Sequence, residues 1–282
     1  MATSVYVHFP WCLQKCPYCD FASATIKRPE VPHTRYADAV LSELERHRLT
    51  LPASDLASVF FGGGTPSLWA AEELGRVLEA IYDTFDVHGE ARAAVEVTVE
   101  CNPSSLDASK AAELRAVGVN RLSIGVQSLD SARLRFLGRL HDAQGALNAV
   151  AAASTQHARV SADFMFGMPG QRAEDFLAEL SSMLELGISH VSAYALTVEP
   201  QTQFGELHRK GKLTLAKEDD FAETYLATEA FLRERGFEHY EVSNYAKPGQ
   251  SSRHTHHYWR GGDYLGLGAG AVGCLTQGIG NA

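Results

Sequence analysis

Residues 94–126, AVEVTVECNPSSLDASKAAELRAVGVNRLSIGV, decide the fold. Two apolar, β-rich runs enclose an amphipathic stretch over residues 108–118. Asp107 or Ser109 can cap the start of a helix there, and Gly118 stands where a C-terminal glycine belongs. The order of strand, helix and strand predicts two parallel strands joined by a right-handed crossover.

The same alternation continues on both sides of this unit. Four further apolar runs read as buried strands: SVYVHF from Ser4, SVFFG from Ser58, RVSADFMFG from Arg159 and HVSAYALTV from His190. Helical patterns lie between the runs, among them residues 34–49, 71–85 and 173–187. Since six such units are fewer than the roughly eight of a closed barrel, the sequence predicts an α/β fold with a partial (β/α)6 barrel over residues 1–200.

A small α+β appendix is expected after the barrel, over residues 201–282. It combines a helical pattern over residues 218–235 with the stretches EHYEVSNYA and GGDYLGLGAGAVG. The glycine-rich stretch lacks a clean dinucleotide-binding fingerprint, because it does not follow a buried strand into a long helix. We interpret it as a tight backbone passage. The pattern stops soon after Gly273, so the appendix is expected to be the start of a truncated C-terminal domain.

Composition excludes several classes of function. The chain has 282 residues and 34 acidic against 25 basic side chains, a balance that argues against a nucleic-acid groove. No apolar run approaches the roughly 20 residues that span a bilayer. The first residues, MATSVYVHFP, lack the basic start and apolar middle of a signal peptide. We therefore expect a cytoplasmic protein without a transmembrane segment.

The cysteines point to metal chemistry. Of five cysteines, three lie within eight residues, and a reducing cytosol disfavours structural disulfides. In WCLQKCPYCDF, Cys12, Cys16 and Cys19 follow the first predicted strand at positions i, i+4 and i+7. Iron-sulfur clusters are held by thiolates, so three thiolates on a four-iron cluster leave one iron open. A structural zinc held by these cysteines and His8 is the alternative. Cys101 and Cys274 stand apart and are expected to pack as small apolar side chains.

The spacing Cys-x3-Cys-x2-Cys, with an aromatic residue before the last cysteine, resembles the signature of the radical S-adenosylmethionine (SAM) superfamily. Six segments, the first of which contains this motif, occur in a matching order: YVHFPWCLQKCPYCDF, FFGGGTPS, VECNP, RLSIGVQS, GRLHD and DFMFGMPGQ. Together they are similar to the branch that contains oxygen-independent coproporphyrinogen III oxidases and the HemW heme chaperones. The resemblance covers essentially the whole chain. It implies a [4Fe-4S] cluster whose open iron chelates the methionine end of SAM.

The resemblance also implies which residues contact SAM. The loop that meets the methionine end is formed by Gly62, Gly63, Gly64 and Thr65. Three glycines after a buried strand let backbone groups approach a ligand without obstruction by a Cβ atom. Polar residues at the ends of three predicted strands face the functional end of a βα barrel. These three and three motif residues are the remaining expected contacts: Glu100, Gln127, Asp163, Tyr6, Tyr18 and Arg139.

Three features favour a HemW-type chaperone over an oxidase. Oxidases of this branch carry a fourth cysteine where this sequence has Phe21, and they have a longer segment before the residue that corresponds to Tyr6. The stretch RHTHHYWRGGDYLGLGAG is similar to a region of the HemW group, although Thr255 replaces the usual asparagine. His254 takes the histidine position of that motif and is the candidate ligand of heme iron. Its neighbours Tyr258 and Trp259 can cover a porphyrin face.

The hypothesis is a heme chaperone that binds a [4Fe-4S] cluster, SAM and heme. The expected partners are heme or a related tetrapyrrole, a heme-acceptor protein in respiratory metabolism, and an electron donor such as a flavodoxin or ferredoxin. Delivery of heme is expected to bring the protein to the membrane surface. The alternatives are a coproporphyrinogen III oxidase and a zinc-stabilised barrel that only binds a partner. No residue is assigned a catalytic role, and His8, His33, His47 and His190 are expected to be structural or exposed.

Overall fold

The computed structural model describes residues 2–49, 51 and 53–276. The strands in these residues are β1 (Ala2–Phe9), β2 (Trp11–Cys12), β3 (Ala24–Thr25), β4 (Asp55–Gly63), β5 (Glu96–Cys101), β6 (Arg121–Gln127), β7 (Val160–Phe166), β8 (His190–Ala195), β9 (Glu238–Glu241), β10 (Asn244–Ala246) and β11 (Asp263–Leu267). The helices are α1 (His33–Arg48), α2 (Ala71–Thr84), α3 (Ala91–Ala94), α4 (Ala108–Ala116), α5 (Ser131–Phe136), α6 (Ala143–Gln156), α7 (Ala173–Leu184), α8 (Gln203–Arg209), α9 (Glu218–Glu234) and α10 (Arg253–Trp259).

The predicted α/β fold is confirmed. Within the described residues, one sheet has the strand order β11-β1-β4-β5-β6-β7-β8-β10-β9. The six predicted strands, β1 and β4 to β8, are neighbours in sequence order and pair in parallel, as a partial barrel requires. Side chains alternate across each strand. The outward-facing Val97 and Val99 of β5 pack under the helices, whereas Glu96, Thr98 and Glu100 point to the barrel interior.

Helix boundaries follow the local signals in the sequence. Asp107 caps α4, since its carboxylate accepts a hydrogen bond of 2.8 Å from the backbone N–H of Lys110. Gly118 follows this helix with φ +101°, a left-handed conformation that closes helices readily only at glycine. The tight boundary lets the chain enter β6 three residues later.

The expectation for the glycine-rich stretch is wrong in its first half. Residues 263–267 form β11, which pairs in parallel with β1 from Thr3 to Val7 and widens the sheet. Only residues 268–271 pass closely over the barrel, where a Cβ atom on Gly268 would lie 2.5 Å from the carbonyl oxygen of His8. The appendix therefore supplies β9, β10 and β11 to the same sheet, while residues 277–282 of its predicted range lie outside the described residues. Its role as the start of a longer domain stays a prediction.

The two isolated cysteines differ. Cys101 is 5% exposed and packs in the core, as predicted. Cys274 is exposed, so the expectation that it packs as an apolar side chain is wrong; its backbone instead makes an antiparallel bridge with Tyr264 at the sheet edge. In the part of the chain that the structure describes, no helix is both long and apolar enough to cross a membrane.

Candidate cofactor site

The three clustered cysteines lie on one closed loop that leaves the end of β1. The loop is closed by two backbone hydrogen bonds, from Ala24 to the carbonyl of Pro10 at 2.8 Å and from Ile26 to the carbonyl of Cys12 at 2.9 Å. Inside it, the N–H of Cys19 donates to the carbonyl of Cys16 at 3.1 Å and forms a tight turn. All three cysteines are partly exposed and form no disulfide, and their loop follows the carboxyl end of β1, at the end of the barrel that we call the mouth. Their role as cluster ligands stays a prediction.

Two side chains from other elements donate hydrogen bonds to these sulfurs. The hydroxyl of Thr65 lies 3.4 Å from Sγ of Cys12, and Nη1 of Arg139 lies 3.4 Å from Sγ of Cys16. Burial raises the pKa of the Cys12 and Cys19 thiols. Donors placed at sulfur favour the charged thiolate, so this surrounding fits a group with anionic sulfur ligands.

The glycine motif is packed against the cysteine loop. The N–H groups of Gly64 and Thr65 donate to the carbonyls of Phe9 and Trp11 at 2.7 and 2.8 Å. A Cβ atom on Gly64 would lie 2.6 Å from the Trp11 carbonyl oxygen, and Gly63 has φ +107°. Glycine is thus needed here for the approach of one loop to another. The predicted contact of this motif with the methionine end of SAM stays a prediction.

Glu100 and Asp163 face each other inside the barrel. Glu100 accepts a hydrogen bond of 3.0 Å from the N–H of Gly63, and Asp163 accepts bonds of 3.0 Å from the hydroxyls of Ser123 and Ser161. Burial, together with the charge of Asp163, raises the pKa of Glu100 to about 7, and burial raises the pKa of Asp163. Two buried carboxyls whose pKa values are raised fit a ligand that brings positive charge or hydrogen-bond donors.

Gln127 is held in a strained conformation at the end of β6. Its φ of +66° is uncommon for a residue with a side chain, and the pairing of β6 with β7 shifts register between Gly125 and Gln127. Such a bulge turns a side chain away from the direction that the strand alternation would give it. Strain of this kind is often kept at functional sites, so the observation supports the prediction that Gln127 faces a ligand.

Arg139 joins the cysteine loop to β6. Its Nη2 donates to the carbonyl of Gly125 at 2.9 Å, but its buried Nε has no hydrogen-bond partner in the described structure. Burial alone would lower the pKa of Arg139, but the neighbouring Tyr18 and Cys16 raise it. Tyr18 packs against Phe204 of α8, so the far side of the loop is fixed as well. Only the family resemblance pointed to Arg139, and its position beside the sulfur of Cys16 now supplies an independent physical reason for an arginine here.

Tyr6 and His8 form a pair at the mouth end of β1. The hydroxyl of Tyr6 lies 3.1 Å from Nδ1 of His8, and Nε2 of His8 lies 2.8 Å from the carbonyl oxygen of Ala22. Both ring nitrogens of His8 are engaged, so the histidine that the zinc alternative requires does not face the thiols. Across residues 2–49, 51 and 53–276, no group of three His, Cys, Asp or Glu side chains is arranged to hold a single metal ion.

His254 lies away from the cysteines, at the base of the barrel interior. Its side chain is 5% exposed, its Nδ1 lies 2.8 Å from the hydroxyl of Ser58, and its ring stacks on Phe60. Burial lowers its pKa to about 4, so the imidazole is neutral. Tyr258 also contacts the ring, at 5.2 Å between centroids. The same Phe60 ring also stacks on Tyr6, so one aromatic residue contacts both this predicted heme ligand and a predicted SAM contact. Binding of heme iron by His254 stays a prediction.

Several polar residues that line the barrel interior were missed. They share the inward-facing positions of their strands and comprise Ser123, Ser161, Ser192, Glu96 and Arg121. The signal was present, because polar residues alternate with apolar ones in RLSIGV and RVSADF. A sequence pattern marks the positions, but it does not tell which ones donate hydrogen bonds to Asp163.

The fold and the cysteine site are those of a radical SAM protein. The sequence model of the Radical SAM superfamily matches residues 6–183, which include the cysteine loop, the glycine motif and every other mouth residue described above. The solved structure of the coproporphyrinogen III oxidase HemN from Escherichia coli, a radical SAM enzyme, covers 97% of this chain with a TM-score of 0.81. This chain covers 64% of HemN, and at 22% sequence identity the likeness shows the fold alone.

Curated relatives define the family more narrowly. The heme chaperone HemW of Escherichia coli is 38% identical over 274 residues, and the alignment covers 97% of this chain and 70% of the relative. HemW of Haemophilus influenzae is 37% identical over 278 residues with 70% of its length covered. The mouse mitochondrial radical S-adenosyl methionine domain-containing protein 1 is 39% identical, with 62% of its length covered. The chain belongs to the HemW family of radical SAM proteins.

Proposed function

We propose that this protein is a heme chaperone that binds a [4Fe-4S] cluster, SAM and heme and delivers heme to an acceptor protein. The observation that carries the proposal is the 38% identity to a heme chaperone over 97% of the chain. Phe21 adds support, because it occupies the position of the oxidases' fourth cysteine and its side chain is 57% exposed.

Different residues at the mouth would bind different parts of the cofactors. Cys12, Cys16 and Cys19 would hold the cluster, which when bound supplies one electron and an open coordination position. Thr65 and Arg139 donate hydrogen bonds to the sulfurs and so stabilise their negative charge.

The carboxyls would receive the other end of the site's ligand. The positive charge and hydroxyl groups of SAM are suitable partners for Glu100 and Asp163, whose pKa values are raised in the absence of such a neighbour. Tyr6, Gln127 and the glycine motif border the same space.

A separate arrangement is needed for heme. Ligation of heme iron by His254 would require α10 to move from the barrel base, because Phe60 of β4 stacks on the imidazole and the Ser58 hydroxyl is bonded to its Nδ1. Trp259 of the same helix is 67% exposed and offers an accessible aromatic surface for a porphyrin. Heme is thus expected to bind at α10 and to displace it.

Heme titration of the wild type, His254→Ala and the exposed control His88→Ala tests this site. We expect a Soret band that is altered in His254→Ala and unchanged in His88→Ala. A wild-type spectrum and affinity in His254→Ala would remove His254 from the heme site.

The competing function is oxidation of coproporphyrinogen III, which the fold likeness to HemN favours. The reconstituted protein is given coproporphyrinogen III, SAM and a reductant, and tetrapyrrole products are separated by chromatography. The chaperone proposal predicts no protoporphyrinogen, and its formation with repeated turnover would overturn the proposal. Iron and sulfide are measured after anaerobic reconstitution to test the zinc alternative. Bound iron and sulfide would exclude a zinc protein, and their absence would favour one.

The remaining parts of the proposal concern the location of the protein in the cell and its partners there. A cytoplasmic location, a respiratory heme acceptor, delivery at the membrane surface and a flavodoxin or ferredoxin as electron donor are proposed together with the chaperone role. Co-purification of heme-loaded protein with membrane fractions, compared with the heme-free protein, tests the delivery step.

A further inference from the structure

A chain of hydrogen bonds runs from the C-terminal segment to Asp163. The N–H of Ser252, at the start of α10, lies 3.3 Å from the hydroxyl of Tyr240. That hydroxyl lies 2.7 Å from Nε2 of His190, and Nδ1 of His190 lies 2.7 Å from the hydroxyl of Ser161. The Ser161 hydroxyl lies 3.0 Å from Oδ1 of Asp163. Four hydrogen bonds thus connect the start of α10 with Asp163 of β7, although the two lie far apart in the sequence.

The two ends of the chain fix its direction. A backbone N–H such as that of Ser252 can only donate, and an ionised carboxylate can only accept. The Ser161 hydroxyl therefore donates to Asp163 and accepts from Nδ1–H of His190. Nε2 of His190 then carries no proton and accepts from Tyr240. When Asp163 is ionised, the single proton of the Ser161 hydroxyl goes to the carboxylate, and neutral His190 therefore carries its proton on Nδ1.

The surroundings favour this neutral tautomer. His190 is 2% exposed, and burial, assisted by the charges of Arg121 and Arg159, lowers its pKa well below the usual value. A charged imidazole would donate from both nitrogens, and the Tyr240 oxygen would then have to accept hydrogen bonds from both Nε2 and the N–H of Ser252. The Tyr240 phenol stays protonated as well, because burial raises its pKa to about 12.

We propose that His190 is a positioning residue for Asp163 and that Tyr240 selects its Nδ1–H tautomer. Through this chain, β9 and the start of α10 set the hydrogen bonds of a carboxylate at the mouth of the barrel. With the Ser161 hydroxyl held by His190, its proton points to Asp163, and the remaining acceptor capacity of the carboxylate faces the interior. The hydrogen-bond donors of a bound ligand would meet it there.

The tautomer is measured directly by NMR of protein labelled with 15N-histidine. We expect the His190 signals, assigned by their loss in His190→Asn, to show Nδ1 protonated and Nε2 bare. Tyr240→Phe removes the donor at Nε2 and should shift the population toward the Nε2–H form. The control Tyr245→Phe removes a neighbouring phenol that has no hydrogen bond among the described residues, and it should leave the signals unchanged. An Nε2–H tautomer in the wild type would overturn the proposal.

The consequence for the site is measured as SAM affinity of the reconstituted protein, and this arm rests on the proposed function. His190→Asn keeps an N–H donor near the position of Nδ1, whereas His190→Leu keeps bulk without a donor. We expect about tenfold weaker binding for His190→Leu, the effect of one lost hydrogen bond, and less than half of that loss on the logarithmic scale for His190→Asn.

Equal losses in the two variants would show that His190 acts by packing alone. Absence of SAM binding in the wild type would instead refute the proposed function, and the tautomer measurement would still decide the hydrogen-bond chain.

Discussion

The polar groups at the two ends of the barrel interior, its base and its mouth, differ in their electrostatic surroundings. At the base, Glu96 forms an ion pair of 2.7 Å with Arg159 and accepts the N–H groups of Arg253 and His254, each at 3.1 Å. Burial alone would raise the pKa of Glu96, but the nearby arginines and these N–H groups hold it below its usual value. The charge of Glu96 is therefore compensated by the chain itself, although Nε of Arg159 has no hydrogen-bond partner in the described structure. The bonds of Glu96 hold α10 against the barrel, so the proposed binding of heme by His254 would have to break them.

The mouth has the opposite character. Glu100 has a raised pKa, and Gln127 is held in a strained backbone conformation. Proteins usually avoid such local conflicts except where function requires them. The base of the barrel interior thus stabilises the fold, whereas the mouth is prepared to bind a ligand.

The largest expected effect comes from the mouth. Cys16→Ala leaves two thiolates, which do not hold a stable four-iron cluster, so iron and acid-labile sulfide should fall to background after reconstitution. The control Cys274→Ala changes an exposed cysteine outside the loop and should reconstitute as the wild type does. A normal cluster in Cys16→Ala would show that the ligand assignment is wrong.

The next effect tests the base. Glu96→Gln leaves the partly buried guanidinium of Arg159 without its counter-charge and should lower the free energy of unfolding by about 3 kcal/mol, while iron content stays normal. In the control Glu79→Gln, the lost ion pair with Arg92 is exposed, and the change should be below about 1 kcal/mol. Both free energies are measured by denaturant unfolding. Similar losses in the two variants would contradict the proposed difference between the base and the mouth.

A smaller effect should depend on pH. The pKa of Glu100 is raised from its ordinary value of 4.5 to about 7, so its protonated form stabilises the native state. This contribution is complete below the unfolded pKa and is lost as the pH rises through the folded pKa. In protein without cofactors, the unfolding free energy of Glu100→Gln relative to wild type should therefore rise between pH 4.5 and 7. A constant difference across this range would argue against a disfavoured carboxylate at the mouth.

The smallest effect concerns backbone strain. Gln127 has φ +66°, so Gln127→Gly should be more stable than Gln127→Ala by about 1 kcal/mol, the reverse of the usual order in a strand. Both variants lose the amide and should bind SAM more weakly. Thermal unfolding of the two proteins compares them directly, and greater stability of the alanine variant would remove strain from the account of the mouth.

Much of the fold and part of the candidate site could be predicted from the sequence. Periodicity predicted parallel strands in sequence order, and the expected positions of Glu100, Gln127 and Asp163 at strand ends predicted that they face the functional end of the barrel. Glu100 and Gln127 do lie at or next to the ends of β5 and β6, whereas Asp163 lies at the middle of β7. β11 was not predictable in this way, because DYLGL is short and glycine-containing and becomes a strand only through pairing with β1. The chain of hydrogen bonds through His190 was also hidden, since it depends on which inward-facing side chains meet across strands.

The central claim is that three thiolates hold a cluster with one iron open to SAM. EPR spectroscopy of the anaerobically reconstituted, dithionite-reduced protein tests it most directly, with spectra recorded before and after addition of SAM. We predict that SAM changes the cluster signal, because its amino and carboxylate groups become ligands of the open iron. Spectra that are identical with and without SAM would contradict the claim.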